Sequence, residues 1–166
     1  MGMVAEYVRM TPVELERALA DPEWAEEFTD DLLEGEFDAV LDGEVTEADR
    51  RGYDVDKTWD AMRILLHRAA PFETCPFLGG TPFGEVWSYD RPRALTVEQV
   101  RSIAEGLGAV AFDRLLDAFD EGALAGAYLG PWDRDGVEML REHYDGLVRY
   151  FAAAAQAGHG MIAYLG

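Results

Sequence analysis

The sequence predicts a helix-rich α+β fold in which helices pack in α/β-type layers around a small mixed β-sheet. The length of 166 residues is that of a single domain, which we place at residues 1–166. An apolar fraction of 49% is enough for a sizeable core. Strand-like segments at 3–10, 85–89 and 161–165 are separated by several helical patterns, and this order predicts the α+β class.

The N-terminal third begins with a predicted strand from Met3 to Met10. Thr11 then starts a helix, because its hydroxyl can cap the first turn while Glu14 completes a capping box. Asp21 and the proline after it start a second helix, whose inward residues are Trp24, Phe28 and Leu32. Residues 34–53 contain three glycines and many acids, and we predict mainly an exposed acidic loop.

The middle of the chain is predicted to hold a helix that Asp56 caps and that ends near Ala70. Residues 71–84 are rich in proline and glycine, which indicates an irregular loop. Residues 85–89 alternate like a strand. Thr96 and Gln99 form a second capping box, and the helix that they start runs to about Leu107.

In the C-terminal third, the sequence pattern predicts a helix at 112–119, a turn at 128–135 and then a long helix. Gly158 is a natural cap after that helix, and residues 161–165 form a buried strand. The helical spacing of large apolar residues predicts the centre of the core: Trp59, Met62, Leu66, Leu140, Tyr144, Leu147 and Phe151.

The chain is strongly acidic, with 33 Asp and Glu against 14 Lys and Arg and a formal net charge of −19. Such a surface repels phosphate backbones and anionic membranes, so we expect neither nucleic acid nor membrane as a partner. Residues 11–60 hold 18 of the carboxylates and four basic residues. This excess is typical of a solvated helical face, or of a patch that binds a basic protein.

The cellular setting is predicted to be the reducing cytoplasm. Cys75 is the one cysteine, so an intrachain disulfide is impossible. The sequence contains no run of about 18 apolar residues, so no membrane span is predicted. The first residues lack a basic start, so no secretory signal is expected.

Motifs for common chemistries are absent from the sequence. There is no Walker loop, no dinucleotide fingerprint and no nucleophile elbow. The three histidines have no second histidine at helical metal-ligand spacing. We therefore predict no metal, no cofactor and no catalytic residues, and favour binding over catalysis.

One polar constellation stands out on the predicted helix after Asp56. Asp56, Asp60, Arg63 and His67 recur at helical spacing, so they would share a face. Together with Trp59 they form the predicted ligand-binding set, because a carboxylate beside an arginine and a histidine suits a small polar ligand or acid–base chemistry. The alternative is a solvated face with intrahelical ion pairs. The glycine loop 78–84 could close over a pocket beside this set, or simply cross the surface.

Five segments of the sequence form a further pattern: the Met-Gly-Met start, the Asp54-Val-Asp-Lys-Thr-Trp-Asp60 segment, the Tyr89–Leu95 run, Gly130-Pro-Trp-Asp133 and the end near Gly158. Together they resemble the YfbM-like family of small bacterial proteins. The resemblance implies a layered fold with helices on a small sheet. It supplies no activity, cofactor or catalytic residue, since the family is a domain of unknown function.

Three classes of function follow from the sequence. The favoured class is a soluble bacterial binding protein with an acidic face for a basic protein partner. The second is a small-molecule binder or enzyme that uses the Asp/Arg/His face. The third is a structural subunit of a homo-oligomer. The expected oligomeric state is a monomer or a homodimer.

Overall fold

The computed structural model describes residues 2–130 and 132–166, and it contains a five-stranded sheet. Met1, in the Met-Gly-Met start, and Pro131, in the predicted 128–135 turn, lie outside the described residues. The sheet order is β2-β1-β5-β4-β3. The strands are β1 (Ala5–Met10), β2 (Gly52–Asp54), β3 (Thr81–Pro82), β4 (Arg93–Leu95) and β5 (Gly160–Leu165).

All the strand pairs of the sheet are antiparallel, so the α+β class is confirmed and the prediction of a mixed sheet is wrong. The central pair is β1 with β5, in register from Ala5 opposite Leu165 to Met10 opposite Gly160. The predicted strand at 85–89 is also wrong. That segment bends, with the Trp87 N–H donating to the Asp90 carbonyl at 3.2 Å, and it contacts β5 through a single backbone hydrogen bond, from the Tyr89 N–H to the Leu165 carbonyl at 3.4 Å. The residues that pair with β5 are instead those of β4.

The helices lie mostly where the sequence predicts them. They are α1 (Pro12–Ala20), α2 (Pro22–Leu41), α3 (Trp59–Ala69), α4 (Val97–Gly108), α5 (Phe112–Asp117), α6 (Glu121–Leu124) and α7 (Arg134–Ala157), with 3₁₀ turns at Glu47–Asp49 and Asp56–Thr58. In the part of the chain described by the structure, none is both long enough and apolar enough to cross a membrane.

The predicted helix caps are confirmed at both capping boxes and at the end of α7. The Thr11 N–H donates to the Glu14 carboxylate at 2.8 Å, while the Thr11 hydroxyl accepts from the Glu14 N–H. Thr96 and Gln99 repeat this arrangement. Gly158 ends α7 with a φ of 71°, a conformation that glycine adopts without a Cβ penalty.

The acidic loop predicted at 34–53 is largely wrong, because α2 continues to Leu41 and β2 follows at 52–54. The single glycine in this part of the helix, Gly35, lowers helix stability by only about 1 kcal/mol. The helix continues past it because Leu32 and Leu33 pack against the sheet. The Glu36 carboxylate then accepts the N–H groups of Arg51 at 2.5 Å and of Gly52 at 2.8 Å. This contact fixes the approach of β2 to α2.

Asp56 does not cap α3. Its φ is +48°, it lies in the 3₁₀ turn, and its N–H donates to the Asp54 carboxylate at 3.0 Å. The helix begins only at Trp59, and no side chain among the described residues caps it. A short polar residue tolerates this left-handed conformation, which explains an aspartate at the turn.

Two helical layers enclose the sheet. Alternate residues of β1 point to opposite faces, so Val8 and Met10 pack with α1 and α2, whereas Tyr7 packs with α3 and α7. The second layer holds the larger core. Every residue of the predicted core centre is buried there: Trp59, Met62, Leu66, Leu140, Tyr144, Leu147 and Phe151.

Candidate functional site

The predicted polar face of α3 is built around an ion pair rather than around a pocket. Arg63 donates two hydrogen bonds to one Asp60 oxygen, at 2.6 and 3.0 Å. The other Asp60 oxygen accepts the backbone N–H of Tyr128 at 2.9 Å. Both oxygens of Asp60 are therefore bonded within the protein, which anchors the loop before α7 to α3.

Of the other members of the predicted set, His67 shares a depression with Arg63, whereas Asp56 and Trp59 do not. Arg63 and His67 line a small depression of about 40 Å³ together with Cys75, and His67 is exposed. Burial raises the pKa of the Cys75 thiol, which disfavours the nucleophilic thiolate. Trp59 is buried and its indole N–H donates to the Met3 carbonyl at 3.1 Å. Asp56 and Trp59 do not line the depression, nor does the glycine loop 78–84.

The outer side of α2 is a continuous acidic surface. No Lys or Arg occurs between Arg17 and Arg50. Seven carboxylates of α2 are exposed, and we call them the acidic surface: Glu23, Glu26, Glu27, Asp30, Asp31, Glu34 and Asp38. Their charges are compensated by no cation of the same helix, so a strong negative potential extends along it.

A groove lies between the acidic surface and the edge strand β2. Its volume is about 310 Å³. We call it the acidic groove, and its lining combines three carboxylates and one arginine with apolar and aromatic side chains: Glu6, Tyr7, Leu33, Glu36, Phe37, Val40, Arg50, Gly52, Tyr53 and Asp54. Two large apolar residues of α2 stand at this end of the helix, Phe37 at 66% and Leu41 at 70% exposure.

The carboxylates of the groove repel one another. Glu6 and Asp54 are directly opposite in the β1–β2 ladder, and like charges in that position are destabilising. Burial raises the pKa of Glu6, the hydrogen bond that it accepts from the Tyr164 hydroxyl at 2.9 Å lowers it, and the charges of Asp54 and Asp30 raise it again. A cation placed between Glu6 and Asp54 would relieve this repulsion.

Sequence reasoning missed the groove because it missed β2. Glu6 and Asp54 are 48 positions apart in the chain, and only the β1–β2 register brings them together. A signal was present at Tyr53 and Val55, two strand-forming residues spaced by one, but three residues are too short a run for alternation to show. Phe37 lies within the stretch predicted as an acidic loop, so it was not assigned to α2.

The layered α+β fold and the acidic groove define a helix-covered sheet protein. The chain belongs to the family described as "Domain of unknown function (DUF1877)", whose model matches residues 1–164. The match confirms the resemblance to YfbM-like proteins that the motifs indicate.

A solved structure supports the same fold. The chain is similar to the protein described as "a Protein of Unknown Function YfbM from Escherichia coli", with a TM-score of 0.61 and 12% sequence identity. The similarity covers 99% of this chain and 100% of that chain. No curated protein matches the chain. At this identity the likeness establishes the fold, and the bacterial neighbour agrees with the bacterial family.

Proposed function

We propose that this protein is a non-enzymatic binding protein that holds a basic segment of a protein partner in the acidic groove. The observation that carries the proposal is the uncompensated charge of α2, with seven exposed carboxylates and no basic residue from 18 to 49. A Lys- or Arg-rich segment is the complement of this surface. Nucleic acids and anionic membranes are repelled by it, so neither belongs to the proposal.

The groove supplies a place for one cationic side chain. Glu6 and Asp54 face each other across the strand ladder, so an ammonium or guanidinium group between them would contact both carboxylates. Asp30 on α2 is close enough to raise the pKa of Glu6, which places a third negative charge nearby. This local arrangement distinguishes the groove from a uniformly solvated acidic face.

The groove also supplies apolar contacts for the partner. Phe37 lines it and is 66% exposed, and Leu41 follows one helical turn later at 70%. Interfaces combine apolar anchors with a charged rim, since buried apolar contacts contribute most of the affinity and charges mainly set specificity. A segment that alternates basic and apolar residues therefore fits the groove best.

A cytoplasmic location is part of the proposal. Cys75 is a free thiol in a half-buried position, and free thiols of this kind persist in a reducing compartment. Cell fractionation of a tagged copy would test the location directly.

The test uses a fluorescein-labelled peptide of alternating lysine and leucine and its glutamate–leucine counterpart. Fluorescence anisotropy should show saturable binding of the lysine peptide alone, with affinity that falls as salt is raised, because salt screens exposed charges. The double variant Glu6→Gln with Asp54→Asn should weaken binding roughly three- to tenfold, the effect of losing two partly exposed ion pairs.

A charge-matched control separates a specific site from general attraction. Glu105→Gln with Asp117→Asn removes two exposed carboxylates from α4 and α5, away from the groove. This control should bind like the unmodified protein. Equal losses in both double variants would show that only net charge matters, and would overturn the groove as the site.

A further inference from the structure

A second and larger cleft lies on the other side of β2, between the segment 46–50 and helix α7. Its volume is about 620 Å³, which falls in the range of small-molecule sites. Its lining comes from both walls and from β2: Thr46, Glu47, Ala48, Arg50, Tyr53, Glu142, Gly146, Arg149, Tyr150 and Ala153. We call it the arginine cleft, because two of the 14 basic residues of this acidic chain line it.

A buried positive charge lies directly behind the arginine cleft. Arg9 is 4% exposed, and its guanidinium donates to the carbonyls of Ala48 at 2.8 Å, Arg50 at 3.1 Å and Ala153 at 3.4 Å. Its Nε donates to His159 Nδ1 at 3.1 Å. These acceptors are all neutral, and within the described residues no carboxylate lies at ion-pair distance from Arg9. Burying a charge without an opposite partner is costly, so an anion in the cleft would be attracted.

The two arginines that line the cleft, Arg50 and Arg149, differ in their hydrogen bonding. Arg149 donates to Glu47 at 2.6 Å, an ion pair that joins the two walls. Arg50 has a buried Nε for which no acceptor is found among the described groups. Within the described residues Arg50 also forms no ion pair, so its guanidinium is the cation left for an incoming anion.

The floor of the cleft is flat and preformed. Tyr53 stacks on Tyr150 with ring centroids 5.2 Å apart and planes inclined by 24°. Gly146 permits this packing, because a Cβ there would lie 2.0 Å from the Tyr53 hydroxyl oxygen. Arg9 holds the two walls at fixed separation, since its carbonyl acceptors belong to both. A rigid aromatic surface beside a cationic donor binds a planar ring that carries an anionic group.

We propose that the arginine cleft binds a small organic anion with a planar ring, whose carboxylate or phosphate contacts Arg50 and whose ring packs on Tyr53. Glu142 at the rim adds an acceptor for a donor group of the ligand. Arg50 and Tyr53 also line the acidic groove, but the arginine cleft opens on the α7 side of β2, whereas the carboxylates Glu6 and Asp54 line only the groove.

The test uses 1-anilinonaphthalene-8-sulfonate, a fluorescent aromatic anion, and N-phenyl-1-naphthylamine, which has the same rings without the anionic group. We expect saturable one-to-one binding of the sulfonate and weaker binding of the neutral dye. Arg50→Met should weaken sulfonate binding roughly 10- to 100-fold, the effect of a lost hydrogen bond to a charged group. Arg101→Met removes an equal charge from the exposed side of α4 and should leave binding unchanged.

A second variant tests the cleft without changing charge. Ala153→Phe places a ring in the cleft and should abolish dye binding, whereas Ala152→Phe, on the exposed side of α7, should not. Circular dichroism confirms that each variant is folded. Displacement of the dye by benzoate indicates a carboxylate ligand, and displacement by adenosine monophosphate indicates a phosphate.

Several results would overturn the arginine cleft as an anion site. They are equal binding by Arg50→Met and Arg101→Met, equal affinity for the two dyes, or dye binding that survives Ala153→Phe. Failure of both competitors at millimolar concentration would do the same. The double variant Glu6→Gln with Asp54→Asn should keep full dye binding, because neither residue lines the cleft. Ala153 in turn does not line the groove, so this double variant and Ala153→Phe let the two proposals fail independently.

Discussion

Leu140 offers the sharpest test of the core, because it is completely buried on α7 within the larger helical layer. The substitution Leu140→Ala removes three carbon atoms from this position. At about 0.8 kcal/mol for each buried carbon group, the lost transfer free energy is roughly 2.4 kcal/mol. A residual cavity adds to this, so we expect a loss of about 2–5 kcal/mol in the free energy of unfolding.

The loss should be visible in thermal unfolding. For a chain of this size, 1 kcal/mol corresponds to a change of roughly 2–4 °C in melting temperature, so Leu140→Ala should lower it by about 4–20 °C. Met139→Ala is the matched control on the same helix, because Met139 is 37% exposed and neighbours Leu140. Urea unfolding should give a lower midpoint with an unchanged slope if the native state is otherwise intact. Equal shifts for the two variants would refute the placement of Leu140 in the core.

Two further predictions concern close packing and pH. Gly146→Ala should destabilise the protein by about 1–3 kcal/mol in urea unfolding, because the new Cβ displaces the Tyr53 ring, whereas Gly108→Ala meets no neighbouring atom and should not. Burial, together with the charge of Arg9, lowers the pKa of His159 below its ordinary value, so the folded state binds fewer protons. The stability from neutral His159 is therefore present above about pH 6.5 and is lost as pH falls below it. His159→Asn keeps an acceptor but cannot titrate, so its stability should depend less on pH between about 7 and 5, and an unchanged slope would contradict this account.

The sequence predicted the parts of the fold that depend on local chemistry. Thr11 and Thr96 start helices through hydrogen bonds within four residues, and Gly158 ends one through its own φ. Such signals are complete in a short window of sequence. The spacing of Leu140 and Tyr144 likewise identified the buried side of α7.

The parts that were missed depend on partners far along the chain. Residues 85–89 alternate like a strand, yet the strand that pairs with residues 161–163 of β5 is β4. Local alternation does not show which segment meets β5. The acidic groove and the arginine cleft both depend on β2, whose three residues carry too little pattern to be recognised. The polar face of α3 was predicted from spacing alone, and spacing identified the Asp60–Arg63 pair but not the Tyr128 N–H that occupies Asp60. Whether the face binds a ligand stays a prediction.

The pairing of β1 with β5 also determines when this protein can fold. Ala5 is opposite Leu165, so the centre of the sheet joins segments that are made at very different times during translation. Until residues 160–165 leave the ribosome, β1 has no central partner, and Val8 and Met10 lack the strand that completes their layer. Contacts of such long sequence separation form slowly, and exposed strands in the interval are prone to aggregate. The early, highly charged α2 is made before that interval ends, and its carboxylates would keep nascent chains apart while they wait for β5.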